Sequence, residues 1–214
     1  MDFSFKDLKT RLINSSGKPL PGEEAQYAMA PFERKLRAME SLQRKATRLS
    51  AVMILLYPRQ GDTHTVLIVR NDYPGTHGGQ IGFPGGKVEE TDINLEQTAL
   101  REMQEEVGWQ AEQVRVVRPL TPLIIPPSGF LVHPFIGLSD NTPAFVPDPY
   151  EVAGILEVPL STLLDDTIVK QKPIQLASTG KEIMAPYFDI DGHVVWGATA
   201  MMISEFKHLL HDLR

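Results

Sequence analysis

The chain has no cysteine. That excludes disulfide staples, thiolate metal sites and a cysteine nucleophile, and it fits a reducing compartment. No apolar run reaches the ~20 residues of a bilayer-crossing helix, so no membrane is expected among the partners. There is no basic surplus either: 21 Lys and Arg stand against 27 Asp and Glu, a net charge of −6. Nucleic acid is therefore not expected as a partner, since a phosphate backbone selects a basic surface. No internal repeat or low-complexity tract occurs. The opening MDFSFKDLKTRL lacks the basic-then-apolar layout of a secretory signal and carries too many acids for a typical transit peptide. The closing HDLR matches no retention address. A cytoplasmic location is the expectation.

With 42% hydrophobic and 22% charged residues, the 214-residue chain can bury one core, and its length suits one domain with an extension. Phe3, Phe5, Leu8 and Leu12 form one face of a short helix, and Asn14 to Gly22 has loop chemistry. From Glu33 to Arg48, Leu36, Met39, Leu42 and Ala46 recur at helical spacing, continued by Leu49. This basic helix reads as a solvated face over a docked apolar stripe; the sharper reading turns Arg34, Lys35, Arg37, Arg44, Lys45 and Arg48 to a polyanionic ligand. Ala51–Tyr57 and Thr65–Val69 are short continuous apolar runs, the pattern of strands covered on both faces, with a hairpin loop from Pro58 to His64. Val114–Val117, Leu131–Ile136, Val152–Val158 and His193–Trp196 read as further strands. Prolines 119, 122, 126 and 127 break the middle of the chain, and Thr199–Leu210 forms a closing helix buried through Met202, Phe206, Leu209 and Leu210. The class is mixed α/β, with an extension over residues 1–46 packed on a domain spanning 47–214.

The informative stretch runs from Gly78 to Trp109. Asn94 is an N-cap with Gln97 three residues on, as in a capping box, and Gly108 is a C-terminal stop. Ala99, Leu100, Met103 and Val107 make the stripe that faces the core. Glu102, Glu105 and Glu106 stand at i, i+3 and i+4, on the face read as roughly opposite that stripe. Carboxylates this close repel one another, and a hard divalent cation removes the cost. Arg101 stands beside them to fix a carboxylate. Alone, such a cluster is more often a solvated acidic face. The preceding Phe83-Pro84-Gly85-Gly86 loop adds glycines that let bare backbone approach an ion.

Gly86, together with Arg101-Glu102-Met103-Gln104-Glu105-Glu106-Val107-Gly108-Trp109, resembles the Nudix box, G-x5-E-x7-R-E-U-x-E-E-x-G-U with U apolar. One residue is inserted between Gly86 and Arg101, so Asp92 or Glu90 stands near the usual mid-box Glu. The insertion, with Thr91-Asp92, is similar to the coenzyme A pyrophosphatase branch. So is His77-Gly78-Gly79-Gln80-Ile81-Gly82-Phe83-Pro84-Gly85-Gly86, although Pro74-Gly75 replaces the L-R that usually precedes it. Leu20–Pro31, Ser128–Gly137, Glu151–Leu160 and Trp196–Ala200 also resemble that branch.

The resemblance implies a Nudix-like α/β/α sandwich with a mixed central sheet. It implies an enzyme that uses Mg²⁺ or Mn²⁺ to hydrolyse the diphosphate of a small nucleotide substrate, most closely coenzyme A or its acyl derivatives. Gly85, Glu102, Glu105 and Glu106 would hold metal. Glu102, Glu105, Arg101 and Glu151 form the catalytic set, with Glu102 or the distal Glu151 taking the proton of water. Arg70, His77, Gln80 and Phe83 are placed as substrate contacts; His77 and Gln80 serve equally well as props of the glycine-rich loop. His133, His193, His208 and His211 show no metal spacing. ADP-ribose or a dinucleotide is the alternative substrate, a non-catalytic nucleotide-binding regulator the alternative class, and a homodimer is compatible with the chain.

Overall fold

The computed structural model describes residues 4–31, 34, 48–72, 78–176 and 179–213. Its central strand, β1 (Arg48–Arg59), is buried without a break from Ser50 to Tyr57. Side chains on a strand alternate between faces, so β1 feeds two cores. Ala51, Met53, Leu55 and Tyr57 meet Ala99, Met103 and Val107 of helix α3 (Leu95–Val107). Val52, Ile54 and Leu56 belong to the opposite core. That core also takes in Leu8 and Leu12 of α1 (Phe5–Asn14) and Phe206 and Leu210 of the last helix. Helix, sheet and helix are therefore stacked as an α/β/α sandwich.

The sheet contains β2 (Asp62–Arg70), β3 (Ile81–Gly82), β4 (Gly85–Lys87), β5 (Arg115–Pro119), β6 (Leu123–Ile125), β7 (Phe130–Leu138) and β8 (Val152–Pro159), as well as β1. Its main order is β3-β2-β1-β7-β5; β4 pairs β1, β6 pairs β7 and β8 pairs β2. The β1–β7 ladder is parallel and the others antiparallel, so the sheet is mixed. The register opens a gap between β1 and β2. Strands β1 and β2 pair at the hairpin end, from Leu56 opposite Thr65 to Arg59 opposite Asp62. Farther along, the segment 81–87 pairs with both strands. Gly82 stands opposite Ile68 on β2, and Gly85 opposite Val52 on β1.

Several elements differ from the sequence reading. The hairpin loop is not Pro58–His64: the strands run on to Arg59 and from Asp62, with Gln60 and Gly61 both at positive φ (50° and 85°), a two-residue turn suited to strand twist. Arg48 and Leu49 belong to β1 rather than to the basic helix, whose residues 35–47 lie outside the described set. The closing helix, α5 (Gly197–Asp212), starts two residues early. A short helix, α4 (Leu160–Leu164), and a three-stranded antiparallel sheet follow β8. Of this sheet's strands β9 (Val169–Gln175), β10 (Glu182–Ile190) and β11 (His193–Trp196), only β11 was foreseen. Strand β9 is exposed at every position but Ile174, so it has no apolar pattern to read.

The extension docks through buried polar groups as well as apolar ones. Burying Leu8 and Leu12 contributes about 2 kcal/mol each. At the end of α1, the buried Arg118 of β5 donates to Ser15 O (2.8 Å), Ser15 Oγ (2.9 Å) and Lys18 O (3.1 Å), a cation meeting a helix C-terminus. The fully buried Glu205 of α5 ties α2 (Gly22–Tyr27) to the domain. It accepts from Gln26 Nε2 (2.8 Å), Thr121 Oγ1 (2.6 Å) and Thr121 N (3.1 Å). Truncating Arg118 removes all three of these bonds, including the buried pair to Ser15 O and Oγ. Arg118→Leu is expected to cost about 2–4 kcal/mol and to speed proteolytic cutting within residues 14–22. Denaturant unfolding and timed digestion check this, and an unchanged cutting rate would show that the extension docks without it.

Candidate active site

Helix α3 presents the site because both of its ends are fixed. Asn94 Oδ1 accepts from Gln97 N (2.8 Å), and Gln97 Oε1 accepts from Ile93 N (2.7 Å), one residue before the reciprocal partner of a capping box. At the other end Gly108 adopts φ 71°, and its N–H donates to Gln104 O. Val107 O and Glu106 O accept from Val146 N (3.0 Å) and Asp148 N (3.1 Å). The loop before β8 is thus fastened to the helix end, which brings Glu151 into the neighbourhood.

The three helix carboxylates do not share one solvated face, as the spacing alone suggested. At 100° per residue Glu106 lies only about 20° from Ala99 in projection, at the edge of the buried stripe, and Glu105 lies farthest from it. Accordingly Glu106 is 1% exposed, while the side chains of Glu102 and Glu105 are 13% and 58% exposed. Leu100, read as part of the stripe, is only half-buried.

The double-glycine bend faces this helix from the split between β1 and β2. Gly85 N donates to Glu106 Oε2 (2.7 Å). At φ 153° a Cβ on Gly85 would overlap Ala51 O and Val52, and one on Gly86 would overlap the Glu102 carboxylate. Only glycine lets the backbone lie directly against both acids. Arg70, at the end of β2, donates from Nη1 to Glu106 Oε1 (2.9 Å) and from Nη2 to Gly85 O (2.7 Å).

Arg101 is the second hub. Its Nε and Nη2 grip Asp92 Oδ1 and Oδ2 at 2.9 Å each, while Nη1 reaches Glu102 Oε1 (3.0 Å) and Glu105 Oε2 (2.9 Å). Asp92 also accepts from Thr98 Oγ1 and Glu89 N. The Arg101 fork holds the Asp92 carboxyl well below the usual carboxylate range, and Asp92 raises Arg101 in return. Of the two residues offered for the mid-box position, Asp92 is therefore the one that meets Arg101.

Burial dominates at Glu106 and Glu102. It pushes Glu106 up to about 7, opposed by Arg70 and Gly85 N–H and reinforced by Glu102 and Glu151. Burial also raises Glu102, with Arg101 opposing and Glu105 and Glu151 adding repulsion. Glu151 is exposed in the turn before β8, and its carbonyl accepts from Asn71 N (2.9 Å).

The four residues placed as substrate contacts fare differently. Arg70 lies on the acids. Gln80 is half-buried, its carbonyl accepting from Arg70 N (3.0 Å), and it lines a groove of about 470 Å³ with Ile81, Lys172, His193 and Trp196. Phe83 corrects the expectation: it is 1% exposed and packs in the core, because the bend turns it inward beneath the sheet. His77 lies outside the described residues.

Residues 47–176, more than half of the chain, match the NUDIX domain family model. This chain belongs to the Nudix hydrolase family. The uncharacterized Nudix hydrolase NudL of Yersinia enterocolitica is 35% identical over 154 residues, spanning 72% of this chain and 77% of that protein. NudL of Yersinia pestis is also 35% identical, over 78% of this chain and 80% of its own length. RenU, a Nudix hydrolase of M. smegmatis, shares the fold at a TM-score of 0.52 with 16% identity, covering 78% of this chain and 88% of that one.

As a Nudix diphosphatase the chain hydrolyses diphosphate bonds of small nucleotide compounds, and enzymes of this family generally use divalent metals. Among the described residues no three acidic or histidine side chains close on one point. The hard oxygens of Glu102, Glu106 and Gly85 are instead neutralised by two guanidinium groups. An oxygen-only donor set already holding cations, with glycine where any side chain would intrude, fits a hard divalent ion.

The raised acids give the metal-free protein a pH dependence. Folded Glu106 binds its proton more tightly than the unfolded chain does. The neutral acid thus favours folding below the ordinary carboxylate range, and that contribution is lost as pH rises through about 7. The melting temperature of metal-free protein is expected to fall between about pH 5 and about pH 8, and Glu106→Gln to flatten the fall. Calorimetry across that range decides; an equal slope in the variant places the source elsewhere.

Proposed function

We propose that the chain is a Mg²⁺- or Mn²⁺-dependent diphosphatase of coenzyme A or its acyl derivatives, yielding 4′-phosphopantetheine and adenosine 3′,5′-bisphosphate. The observation that carries the reaction class is the facing of the Glu106 carboxylate and the Gly85 carbonyl across one cation, with Glu102 beside them. Support for the substrate comes from the resemblance of residues 77–86, the Thr91-Asp92 insertion and the four further stretches. The replacement of the usual L-R by Pro74-Gly75 favours a second reading, in which ADP-ribose or a dinucleotide is cleaved. The cysteine-free composition suits the cytoplasm. A homodimer is a further part of the proposal.

In this reading Glu102, Glu106 and the Gly85 carbonyl hold the metal, with Glu105 sharing it from the exposed side. The ions, when bound, neutralise the diphosphate and lower the pKa of attacking water. Arg101, locked by Asp92, keeps Glu102 and Glu105 in one orientation. Glu151, exposed and with its charge bearing on both Glu102 and Glu106, takes the proton of water in this reading, with Glu102 as the other candidate. Arg70 turns to the phosphates, and Gln80 faces the part of the substrate that enters the groove.

Two measurements test this reading. Incubation with Mg²⁺ or Mn²⁺ and coenzyme A, ADP-ribose, NADH or nucleoside triphosphates, followed by mass, is expected to show 4′-phosphopantetheine as the leading product; no cleavage by folded, metal-supplied protein would favour a nucleotide-binding regulator. Glu106→Gln is expected to lower turnover at least about a hundredfold with the fold retained, because a metal-holding charge is lost while the Gly85 N–H keeps an acceptor. Near-wild-type turnover rejects the site. Glu151→Gln is expected to lower kcat about tenfold or more with little change in KM, and to shift the acid limb of the pH profile. An unaltered profile moves the base to Glu102.

A further inference from the structure

Two of the oxygens assigned to the metal, one from Glu106 and the carbonyl of Gly85, are held by Arg70. Glu106 Oε2 is taken by Gly85 N–H, which leaves Oε1 facing the site, and Arg70 Nη1 has it at 2.9 Å. Gly85 O is taken by Nη2 of the same guanidinium at 2.7 Å. A divalent cation at these oxygens would sit against a like charge with no water between, so cation and guanidinium exclude one another. The Arg70 side chain is 22% exposed, which gives it a way out. Its backbone stays in place, with N–H bonded to Gln80 O at 3.0 Å and the β2 ladder behind it.

We propose that Arg70 is an exchangeable cation. It fills the metal position while the enzyme is empty, and is released to the substrate diphosphate by the entering divalent ion. The proposal rests on the diphosphatase reading and adds to it a coupling between metal and nucleotide. A guanidinium freed from a carboxylate and a carbonyl carries a planar donor fork suited to a diphosphate oxygen pair. Metal-free protein then binds nucleotide without help from Arg70, because that side chain is engaged. Metal-loaded protein binds nucleotide with it. Metal entry and phosphate recognition become one event, and an enzyme lacking its ion does not trap substrate unproductively.

The test measures affinity for a non-hydrolysable probe, the α,β-methylene analogue of ADP, with and without Mg²⁺. It uses the full chain as wild type, Arg70→Gln and Arg70→Lys. The expected result is a defect of about tenfold in Arg70→Gln that is present with Mg²⁺ and absent without it. Arg70→Lys, which keeps the charge but not the fork, is expected to fall between. An equal defect in both conditions, or none in either, overturns the exchange while leaving the diphosphatase reading intact. A wild type whose nucleotide affinity ignores Mg²⁺ also overturns the exchange, whereas folded protein that cleaves no diphosphate with Mg²⁺ or Mn²⁺ supplied overturns the reading beneath it. Nitrogen-15 spectra of the wild-type arginine side chains provide a readout independent of any variant. One slowly rotating guanidinium is expected to gain mobility on Mg²⁺ addition, and an Arg70 signal unmoved by saturating Mg²⁺ overturns the proposal.

Discussion

A buried carboxylate must be neutralised, and the site is arranged around that requirement. Glu106 is almost fully enclosed at the junction of α3 and the sheet. Left unpaired there, its charge would cost several kcal/mol. The Gly85 N–H and the Arg70 guanidinium meet it from two directions. Both come from the parting of β1 and β2: Gly85 lies in the segment that pairs along β1, and Arg70 ends β2. The sheet is opened where the helix presents its acids, so backbone carbonyl, carboxylate and cation converge there.

The second arginine hub solves a related problem differently. Glu102 and Glu105 repel one another, and Arg101 spans both while Asp92 grips its far edge. Asp92 is itself held by Thr98 and by the Glu89 N–H. The turn before the helix is thus closed by bonds between Asp92, Glu89 and Thr98. One arginine bridges two acids and is gripped by a third; the other bridges a buried carboxylate and a backbone carbonyl. Their surroundings, rather than their charge, separate the two roles.

Much of this was legible in residue order. The run from Ala51 to Tyr57 is apolar at every position, and a strand covered on one face only would show polar alternation there. Asn94 and Gly108 bound α3 because an N-cap and a left-handed C-cap are local requirements. Strand β9 was not legible, since its side chains are nearly all in water and it is held by pairing with β10 rather than by burial. The placement of Phe83 was not legible either. A phenylalanine beside a glycine-rich loop serves a ligand or a core equally well, and only the packing of the bend on the sheet decides between them.

The sequence by itself determined the helix and its caps, the membership of three glutamates and an arginine in one short coil, and the glycines that admit bare backbone. These depend on contacts a few residues apart, which spacing expresses directly. Tertiary structure alone decided which glutamate is buried, which arginine neutralises it and which acid orients Arg101. Those outcomes depend on groups that α3, β2 and the 81–87 segment bring together from distant parts of the chain. The cost of a charge is set by what surrounds it, and no local pattern carries that information.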